Sequence, residues 1–223
     1  SDLDMPDTWT WSYGGIVLEL SCGGFKHIGV FPEHAPQWDF LISLGKKNPG
    51  LRMLNLFGYS GAASIAAAQG GMKVTHVDAS KTTIGVVKRN AEASGLPADI
   101  LRLVCEDAQK YTKRLIAREE TFDVIVLDPP AFGRGPKGEV WKIEESLLGL
   151  LSLLPKILST TPNLVLLNGY AAGYSATTFG ELLRELLPLG AIEYGEVGIR
   201  EQSSDRILTT SIYAKWEPIG VLQ

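Results

Sequence analysis

From Pro36 onward, short apolar runs alternate with helical stretches, and this alternation limits the fold more than any other feature of the sequence. A repeated β-then-α unit packs as a parallel sheet with right-handed crossovers, so we expect an α/β protein with a doubly wound, mostly parallel sheet. The predicted buried strands are residues 51–57, 73–77, 100–104, 122–127 and 163–168. The predicted helices are residues 61–69, 81–94, 108–118, 142–159 and 177–187.

Both ends of the chain depart from this alternation. Residues 1–33 combine short β-prone runs with glycine pairs at Gly14-Gly15 and Gly23-Gly24, which predicts a small N-terminal β-rich extension with a hairpin. Residues 34–223 are predicted to form one domain, because a single hydrophobic core can serve roughly 250 residues. Residues 191–199 and 207–216 are β-prone with no helix between them, which predicts an antiparallel hairpin at the edge of the sheet.

Composition and charge exclude several classes of protein. Lysine and arginine number 21 against 25 for aspartate and glutamate, and the net charge of −4 argues against binding nucleic acid by bulk charge alone. The longest apolar runs fall far short of the roughly 20 residues that span a bilayer, so we expect no membrane partner. Cys22 and Cys105 lack metal-ligand spacing, from which we expect no metal, buried structural thiols and a reducing, cytoplasmic compartment.

Ligands of doubly wound sheets bind outside the carboxyl ends of the strands, and the first strand ends in a distinctive turn. The segment Phe57-Gly58-Tyr59-Ser60-Gly61 contains small residues that let a ligand approach the backbone, although a tight βα turn without a ligand has the same composition. It lacks the full glycine fingerprint of dinucleotide sites, which ranks a nicotinamide-dependent dehydrogenase last among the functions considered.

Acidic residues follow the next two strands. Asp78 comes roughly 20 residues after the glycine turn, where a carboxylate can accept hydrogen bonds from both hydroxyls of a ribose. Asp78 or Ser80 could instead cap the following helix. Asp107 follows the third strand and could bind an adenine amino group, cap a helix, or do both.

The fourth strand ends in Asp128-Pro129-Pro130-Ala131-Phe132, the most specific segment of the chain. Prolines fix φ and donate no amide hydrogen, so they form a stiff corner whose carbonyls are available as acceptors, and Asp128 adds a carboxylate. A nucleobase amine would find acceptors here and a stacking surface on Phe132, as chemistry on an extruded base requires. The alternative is a loop with a structural role alone.

Taken together, these strand-end motifs resemble those of class I S-adenosylmethionine-dependent methyltransferases over roughly residues 24–216. The Asn-x-Phe-x-Tyr-Ser-Gly loop and the Asp-Pro-Pro-x-Phe corner are similar, more narrowly, to bacterial large-subunit ribosomal RNA methyltransferases that make 5-methylcytosine or 7-methylguanine. The resemblance implies a Rossmann-like methyltransferase sheet with a C-terminal antiparallel strand. It also implies S-adenosylmethionine as the cofactor and RNA, ribosomal RNA in particular, as the substrate.

The same resemblance assigns the candidate site residues. Residues 27–38 correspond to the segment that, in such enzymes, precedes the first helix and closes over the methionine end of the cofactor. The implied cofactor-binding residues are Phe31, Gln37, Asn55, Phe57, Gly58, Tyr59, Gly61, Asp78, Ala79, Asp107, Ala108 and Asp128. The implied catalytic residues are Asp128, Pro129, Pro130 and Phe132.

Departures from that subgroup keep other functions open. Only a short β-rich segment precedes the catalytic part, where those enzymes carry an RNA-binding domain, and neither cysteine follows the corner to supply a thiolate that adds to cytosine. Cys105 is the one candidate for that thiolate. Basic residues that could contact RNA or form a solvated face are Arg134, Lys137 and Lys142 near the corner and Lys110, Lys113, Arg114 and Arg118 on the preceding helix. The alternatives are a methyltransferase for a small molecule or protein side chain, and a non-catalytic module that binds the cofactor or RNA.

Overall fold

The computed structural model describes residues 6–22, 28–97, 99–170 and 173–219. In chain order the strands are β1 (Thr8–Tyr13), β2 (Ile16–Ser21), β3 (Arg52–Leu56), β4 (Lys73–Asp78), β5 (Leu101–Cys105), β6 (Val124–Leu127), β7 (Phe132–Arg134), β8 (Val140–Lys142), β9 (Leu164–Gly169), β10 (Gly190–Arg200) and β11 (Ile207–Pro218). The helices are α1 (Ala35–Lys47), α2 (Ala62–Gln69), α3 (Lys81–Ala93), α4 (Ala108–Ala117), α5 (Ile143–Leu151) and α6 (Ala176–Leu186).

The central sheet has seven strands in the order β10-β11-β9-β6-β3-β4-β5. β3 pairs in parallel with β4 and β6, β4 with β5, and β6 with β9, whereas β11 is antiparallel to both β9 and β10. The predicted doubly wound sheet with an antiparallel C-terminal hairpin is therefore confirmed. Strand order reverses between β3 and β6, and ligands of such sheets bind outside the carboxyl ends at this switch point.

The N-terminal hairpin of β1 and β2 forms through the predicted Gly14-Gly15 turn. Both glycines adopt positive φ angles, 54° and 87°, which other residues rarely adopt. The other predicted glycine pair, at residues 23–24, lies outside the described residues. The division of the chain at residue 33 stays a prediction.

The hairpin packs against the helices that cover the sheet. Ile16, Leu18 and Leu20 alternate along β2 and are buried in a hydrophobic cluster shared with α1 and α2. Arg89 of α3 donates two hydrogen bonds to the Glu19 carboxylate, at 2.7 and 2.9 Å. The alternating pattern of β2 therefore directs one face of the hairpin into the core.

One buried side chain links this hairpin to the turn after β3. Asn90 of α3 accepts a hydrogen bond from the Glu19 amide and donates one to the Ser60 carbonyl, at 2.8 and 2.9 Å. The hairpin thereby supports the turn that the sequence singles out as a ligand site.

The prediction of one helix over residues 142–159 is wrong. Residues 140–142 form β8, α5 ends at Leu151, and a separate 3-10 turn covers Leu154–Ile157. Pro155 lies in the first turn of that 3-10 segment. Proline has no amide hydrogen and its ring obstructs the preceding helical turn, so the leucine-rich run cannot continue as one helix.

Helix α1 and the β7–β8 hairpin have no counterpart among the predicted ranges. α1 contains Gly45, whose hypothetical Cβ would lie 2.7 Å from the Gly70 carbonyl oxygen. The glycine is therefore required for close packing of α1 against the end of α2, although glycine ordinarily weakens a helix. β7 and β8 have three residues each, too few for a periodic signal. Within the described ranges, no helix has both the length and the apolar character needed to cross a membrane.

Candidate active site

Two adjoining cavities open at the carboxyl ends of the parallel strands. The larger, here called the cleft, has a volume of about 500 Å³, and its lining includes Asp78, Ala79, Asp107, Ala108 and Pro129. The small cavity, about 60 Å³, has a lining that includes Gln37, Asn55 and Gly58. Both share Phe31, Phe57, Tyr59 and Asp128. The cleft has the size of a site for a cofactor or drug-sized molecule.

The turn after β3 holds a strained backbone where it faces both cavities. Phe57 and Tyr59 have φ angles of 57° and 46°, in the left-handed region that costs a non-glycine residue on the order of 1 kcal/mol or more. Hydrogen bonds from the neighbouring strand hold the turn in place, because the Gly58 amide donates to the Val77 carbonyl at 3.1 Å and the Tyr59 amide to Asp78 Oδ2 at 3.0 Å. Such strain often occurs at ligand sites, and this turn contacts the space a ligand would fill.

A different close contact requires glycine at each of the two glycine positions of the turn. A Cβ on Gly58 would lie 2.3 Å from Cε1 of the buried His76 ring. Gly61 has a φ of 90°, and its Cβ would lie 2.8 Å from Val87 Cγ1 on α3. Gly61 lines neither cavity, so its role in the structure is close packing of the turn against α3.

A polar cluster lies beneath Gly58. Ser64 Oγ lies 2.9 Å from both Asn55 Nδ2 and His76 Nδ1. Burial lowers the pKa of His76 to about 4, so the ring is neutral. Asn55, predicted to contact the cofactor, is tied into this cluster and borders the small cavity only.

Asp78 does not cap α3, although the sequence left that role open for it. Ser80 caps α3, since its hydroxyl accepts from the Thr83 amide at 3.2 Å. The Asp78 carboxylate accepts from the Ser80 and Tyr59 amides, at 2.9 and 3.0 Å, and lines the cleft. Burial raises the pKa of Asp78 above its ordinary value, while the two amide hydrogen bonds oppose the shift. Asp78 therefore presents a fixed acceptor at the predicted ribose position.

Asp107 both caps a helix and faces the cleft. Its Oδ1 accepts from the Lys110 amide at 2.8 Å, which begins α4. Asp107 and Ala108 line the cleft beside Glu106, whose Oε1 accepts from Arg114 at 2.6 Å. The two roles foreseen for Asp107 are geometrically compatible, because one carboxylate oxygen makes the cap.

The Asp-Pro-Pro corner offers fewer carbonyl acceptors than the sequence suggests. Trp141 Nε1 donates to the Pro130 carbonyl at 2.7 Å, and the Ile143 amide donates to the Ala131 carbonyl at 3.0 Å. The expectation that all carbonyls of the corner are available is therefore wrong. Within the described part of the chain, the Pro129 carbonyl has no hydrogen-bond donor.

Trp141 is a site residue that the sequence reasoning missed. Its ring lies 4.8 Å from that of Phe57, centroid to centroid, and it lines the cleft from β8. A single tryptophan after a Gly-Pro-rich stretch is the signal that could have identified it. Phe132, by contrast, is 55% exposed and lines neither cavity, so its predicted stacking role stays a prediction.

Asp128 lies where the two cavities meet. Its Oδ1 is buried without a hydrogen-bond partner among the described residues, and its Oδ2 lies 4.0 Å from His34 Nε2. Burial and, second, the nearby Glu33 carboxylate raise the pKa of Asp128 to about 7. A buried acceptor without a donor fits a group that arrives with a bound ligand.

A hydrogen-bonded chain of five side chains lies beside Asp128 and was not predicted as a unit. The Tyr170 hydroxyl donates to Glu33 Oε1 at 2.8 Å and lies 2.8 Å from His34 Nε2. His34 Nδ1 lies 3.0 Å from Gln37 Oε1, and the Gln37 and Asn168 amides form a reciprocal pair at 2.8 and 2.9 Å. Burial lowers the pKa of His34. Gln37 was among the predicted site residues, and the other four were not.

Aromatic rings cover the cleft beside this chain. The Phe31 ring centroid lies 5.7 Å from that of Tyr59 and 5.2 Å from that of Tyr170. Phe31 and Tyr59 were predicted as cofactor contacts, and the structure brings both to the junction of the cavities.

The prediction that both cysteines are buried structural thiols is wrong. Cys22 and Cys105 are free and exposed. Cys105 is the last residue of β5, an edge strand, and its Sγ lies 3.6 Å from the Ala79 carbonyl oxygen. Neither cysteine lines the cleft or the small cavity, so neither offers a thiolate beside Asp128. No cluster of three or more potential metal ligands occurs in the described ranges.

Most of the basic residues that the sequence singled out are ion-paired. Lys110 lies 3.3 Å from Glu139, and Lys142 lies 2.8 Å from Glu145. Arg134 lines the cleft and has no ion pair among the described residues. The local positive charge beside the cleft is therefore smaller than a count of basic residues suggests.

The sequence matches a protein-family model and is similar to named methyltransferases. A family model described as conserved hypothetical protein 95 matches residues 41–145. Ribosomal RNA large subunit methyltransferase K/L of Shewanella baltica is 35% identical over 156 residues, which are 69% of this chain and 21% of that protein. The protein of the same name from Shewanella oneidensis is 33% identical over the same shares. The matched region thus spans 21% of the length of these relatives.

Solved structures resemble the whole described fold. The SAM-dependent methyltransferase from Agrobacterium tumefaciens has a TM-score of 0.93 and 39% sequence identity, covering 97% of this chain and 72% of that one. SMU.776, described as a methyltransferase and solved in complex with SAH, has a TM-score of 0.77 and 24% identity, covering 96% and 57% of the two chains. At that identity the second likeness concerns the fold alone.

Proposed function

The chain belongs to the family of S-adenosylmethionine-dependent methyltransferases, and we propose that it methylates a base of RNA, with ribosomal RNA as the substrate. Family membership follows from the solved relative that is 39% identical and covered over 72% of its length. S-adenosylmethionine is the cofactor, and it supplies a methyl group on a positively charged sulfur that a nucleophile attacks.

The cleft has the groups that such a cofactor needs. In this proposal Asp78 accepts from the ribose hydroxyls, Asp107 accepts from the adenine amino group through the oxygen not used for the helix cap, and Ala79 and Ala108 border the adenosine. The strained turn of Phe57, Gly58 and Tyr59, with Gln37, Phe31 and Asn55, surrounds the methionine end. The strain at Phe57 and Tyr59 supports this assignment, because it occurs where the turn faces both cavities.

The single observation that carries the proposed chemistry is the acceptor pair at the corner. Asp128 Oδ1 and the Pro129 carbonyl both lack donors among the described residues and lie beside the cofactor cleft. An amino group on a planar base supplies the donors that this pair lacks. Pro129 and Pro130 fix the corner, and aligning two bound reactants contributes several kcal/mol to catalysis. Phe132 is exposed between Ala131 and Gly133, which line the cleft, and its ring is the surface on which an incoming base stacks in this proposal.

The RNA substrate is inferred from the named relatives. The Shewanella proteins are ribosomal RNA large subunit methyltransferases, and this chain matches part of them. Arg134 in the cleft lining and the exposed Phe132 two residues before it offer a cation and an aromatic face for a nucleic acid. In this proposal residues 34–223 are the methyltransferase domain, residues 1–33 are a β-rich extension, and the chain acts in the cytoplasm.

A second candidate is a methyltransferase for a small molecule or a protein side chain. The net charge of −4 and the ion pairing of Lys110 and Lys142 favour it, because they reduce the free positive charge that is left for a phosphate backbone. A non-catalytic cofactor- or RNA-binding module is the third, and it predicts cofactor binding without methyl transfer.

The three candidates separate in one transfer experiment. Radiolabelled S-adenosylmethionine is incubated with the chain and, separately, with RNA, protein and small-molecule fractions of a cell extract. Label in RNA that disappears with Asp128→Asn supports the proposal. Label confined to another fraction supports the second candidate, and cofactor binding without label supports the third. The matched control is Asp39→Asn, which removes an exposed carboxylate that lines neither cavity and accepts from Tyr13 at 2.8 Å.

A further inference from the structure

We propose that Asp128 and Glu33 form an anionic subsite that recognises the positive charge of the bound cofactor, which the demethylated product lacks. The inference rests on the cofactor lying in the cleft and is independent of the RNA substrate. It assigns Asp128 a second role, in discrimination between cofactor and product.

Both carboxylates adjoin the same pair of side chains, His34 and Tyr170, and neither has a lysine or arginine within 4.0 Å among the described residues. Glu33 is 6% exposed, and its charge acts on Asp128 strongly enough to contribute to the raised pKa of that carboxyl. Among the described residues, His34 is the one basic side chain within 4.0 Å of the Asp128 carboxylate, with Nε2 at that distance from Oδ2. Burial lowers the pKa of His34, which favours its neutral form. Among the described residues neither carboxylate pairs with a lysine or arginine.

The hydrogen-bonded chain fixes Glu33 through Tyr170 on the side of His34 that Asp128 approaches to 4.0 Å. Tyr170 donates to Glu33, and its hydroxyl oxygen lies 2.8 Å from His34 Nε2, so the Glu33 side chain cannot turn toward solvent without breaking this link. His34 lies 4.0 Å from Asp128, and the charge of Glu33 acts on it. The other titratable and charged groups share the cleft lining with Asp128; they are Tyr59, Asp78, Glu106, Asp107, Arg134 and Tyr170. Arg134 is the permanent cation of this lining, and it lies more than 4.0 Å from both carboxylates.

Such an arrangement favours a ligand that brings positive charge. S-adenosylmethionine carries a sulfonium, whereas S-adenosylhomocysteine carries a neutral thioether and keeps the same amino acid group. A charge placed beside the buried Glu33 carboxylate and the buried Oδ1 of Asp128 is attracted more strongly than in water. It also favours the ionised form of Asp128, whose pKa is about 7, so cofactor binding at neutral pH should release protons.

Isothermal titration calorimetry at pH 7, in buffers of different ionisation enthalpy, measures this proton release. The ligands are S-adenosylmethionine, S-adenosylhomocysteine and sinefungin, which has an ammonium in place of the sulfonium. We expect S-adenosylmethionine and sinefungin to release up to about half a proton, and S-adenosylhomocysteine clearly less. Equal proton release by all three ligands in the wild-type chain would overturn the inference.

Variants of Asp128 and Glu33 test whether these carboxylates cause the proton release and the preference for S-adenosylmethionine. Asp128→Asn should abolish the difference in proton release and reduce the preference for S-adenosylmethionine over S-adenosylhomocysteine by about tenfold. Glu33→Gln should move the proton release to lower pH, and Asp39→Asn should change neither quantity. An unchanged preference in folded Asp128→Asn, checked by circular dichroism, contradicts the inference. If Asp78→Asn leaves the affinity for the cofactor unchanged, the proposed position of the cofactor in the cleft is contradicted. This result is distinct from one that contradicts the anionic subsite alone.

Discussion

The indole Nε1 of Trp141 donates a hydrogen bond of 2.7 Å to the Pro130 carbonyl, which ties the β7–β8 hairpin to the Asp-Pro-Pro corner. The corner is therefore held from both sides, by the strand that precedes it and by a side chain 11 residues later. This contact leaves the Pro129 carbonyl and Asp128 to serve a ligand.

Trp141→Phe should loosen the corner while preserving an aromatic ring in the cleft wall. The lost hydrogen bond should reduce the free energy of unfolding by about 1 kcal/mol. Methyl-transfer turnover should fall by about tenfold or more, because small displacements of positioned groups are costly to catalysis. The matched control is Trp9→Phe on the N-terminal hairpin. Equal turnover in the two variants would show that the corner does not depend on Trp141.

Asp78→Asn should weaken binding of S-adenosylmethionine by about tenfold or more, because a charged acceptor of the ribose hydroxyls is lost. Asp123→Asn is the control, since Asp123 also accepts from a backbone amide, that of Arg52 at 2.8 Å, but lies at the opposite end of the strands. Calorimetric dissociation constants measure both. Similar affinities for the two variants would contradict the ribose assignment.

Gly58→Ala should destabilise the chain by about 1 to 3 kcal/mol, because the new methyl group would overlap the buried His76 ring. Gly85→Ala is the control, since the nearest atom to its Cβ would be 3.7 Å away on a flexible arginine. Alanine there should be neutral or stabilising by up to about 1 kcal/mol, because it is a better helix former. Thermal unfolding compares the two variants, and equal stabilities would show that His76 yields easily.

The kcat/KM for S-adenosylmethionine should rise with pH until Asp128 is ionised. Burial and Glu33 raise the pKa of Asp128 to about 7, so the carboxylate that accepts from the substrate forms only as pH rises through that value. We expect kcat/KM for S-adenosylmethionine, which reports the enzyme before the cofactor binds, to increase about tenfold per pH unit well below 7 and to level off above it. Glu33→Gln removes a negative charge, lowers the pKa of Asp128, and should shift the midpoint to lower pH. A rate that falls as pH rises from 6 to 8 would mean that the protonated form is the active one.

The sequence predicts the sheet well because β strands buried in a parallel sheet are recognisable from local apolar runs. The bounds of β4 and of α4 agree with the predicted ranges to within a residue. The prediction of one helix over residues 142–159 is wrong, because the whole stretch is rich in leucine. Pro155 is the one residue in it that indicates the separate 3-10 turn after α5. Helix α1 was not predicted, and it contains Gly45, a residue that disfavours helices. The packing contact that requires this glycine is visible only in the three-dimensional structure.

The candidate site is predictable where its residues follow strands and not where they meet through tertiary packing. Asp78, Asp107 and Asp128 are at strand ends, and the topology brings them to one edge of the sheet. Tyr170 is 136 positions from His34 and 137 positions from Glu33 in the sequence. No local sequence pattern can therefore predict the hydrogen bonds that join them. The exposure of Cys105 likewise depends on β5 being an edge strand.

The most direct test of the account is mass spectrometry of nucleosides from ribosomal RNA. The RNA comes from cells that lack the gene and is incubated with the chain and S-adenosylmethionine carrying a deuterated methyl group. The account predicts one nucleoside with a labelled methyl group, absent with Asp128→Asn and present with Asp39→Asn. An unlabelled RNA, with label in a protein or small-molecule fraction of the same cells, would contradict the proposed substrate.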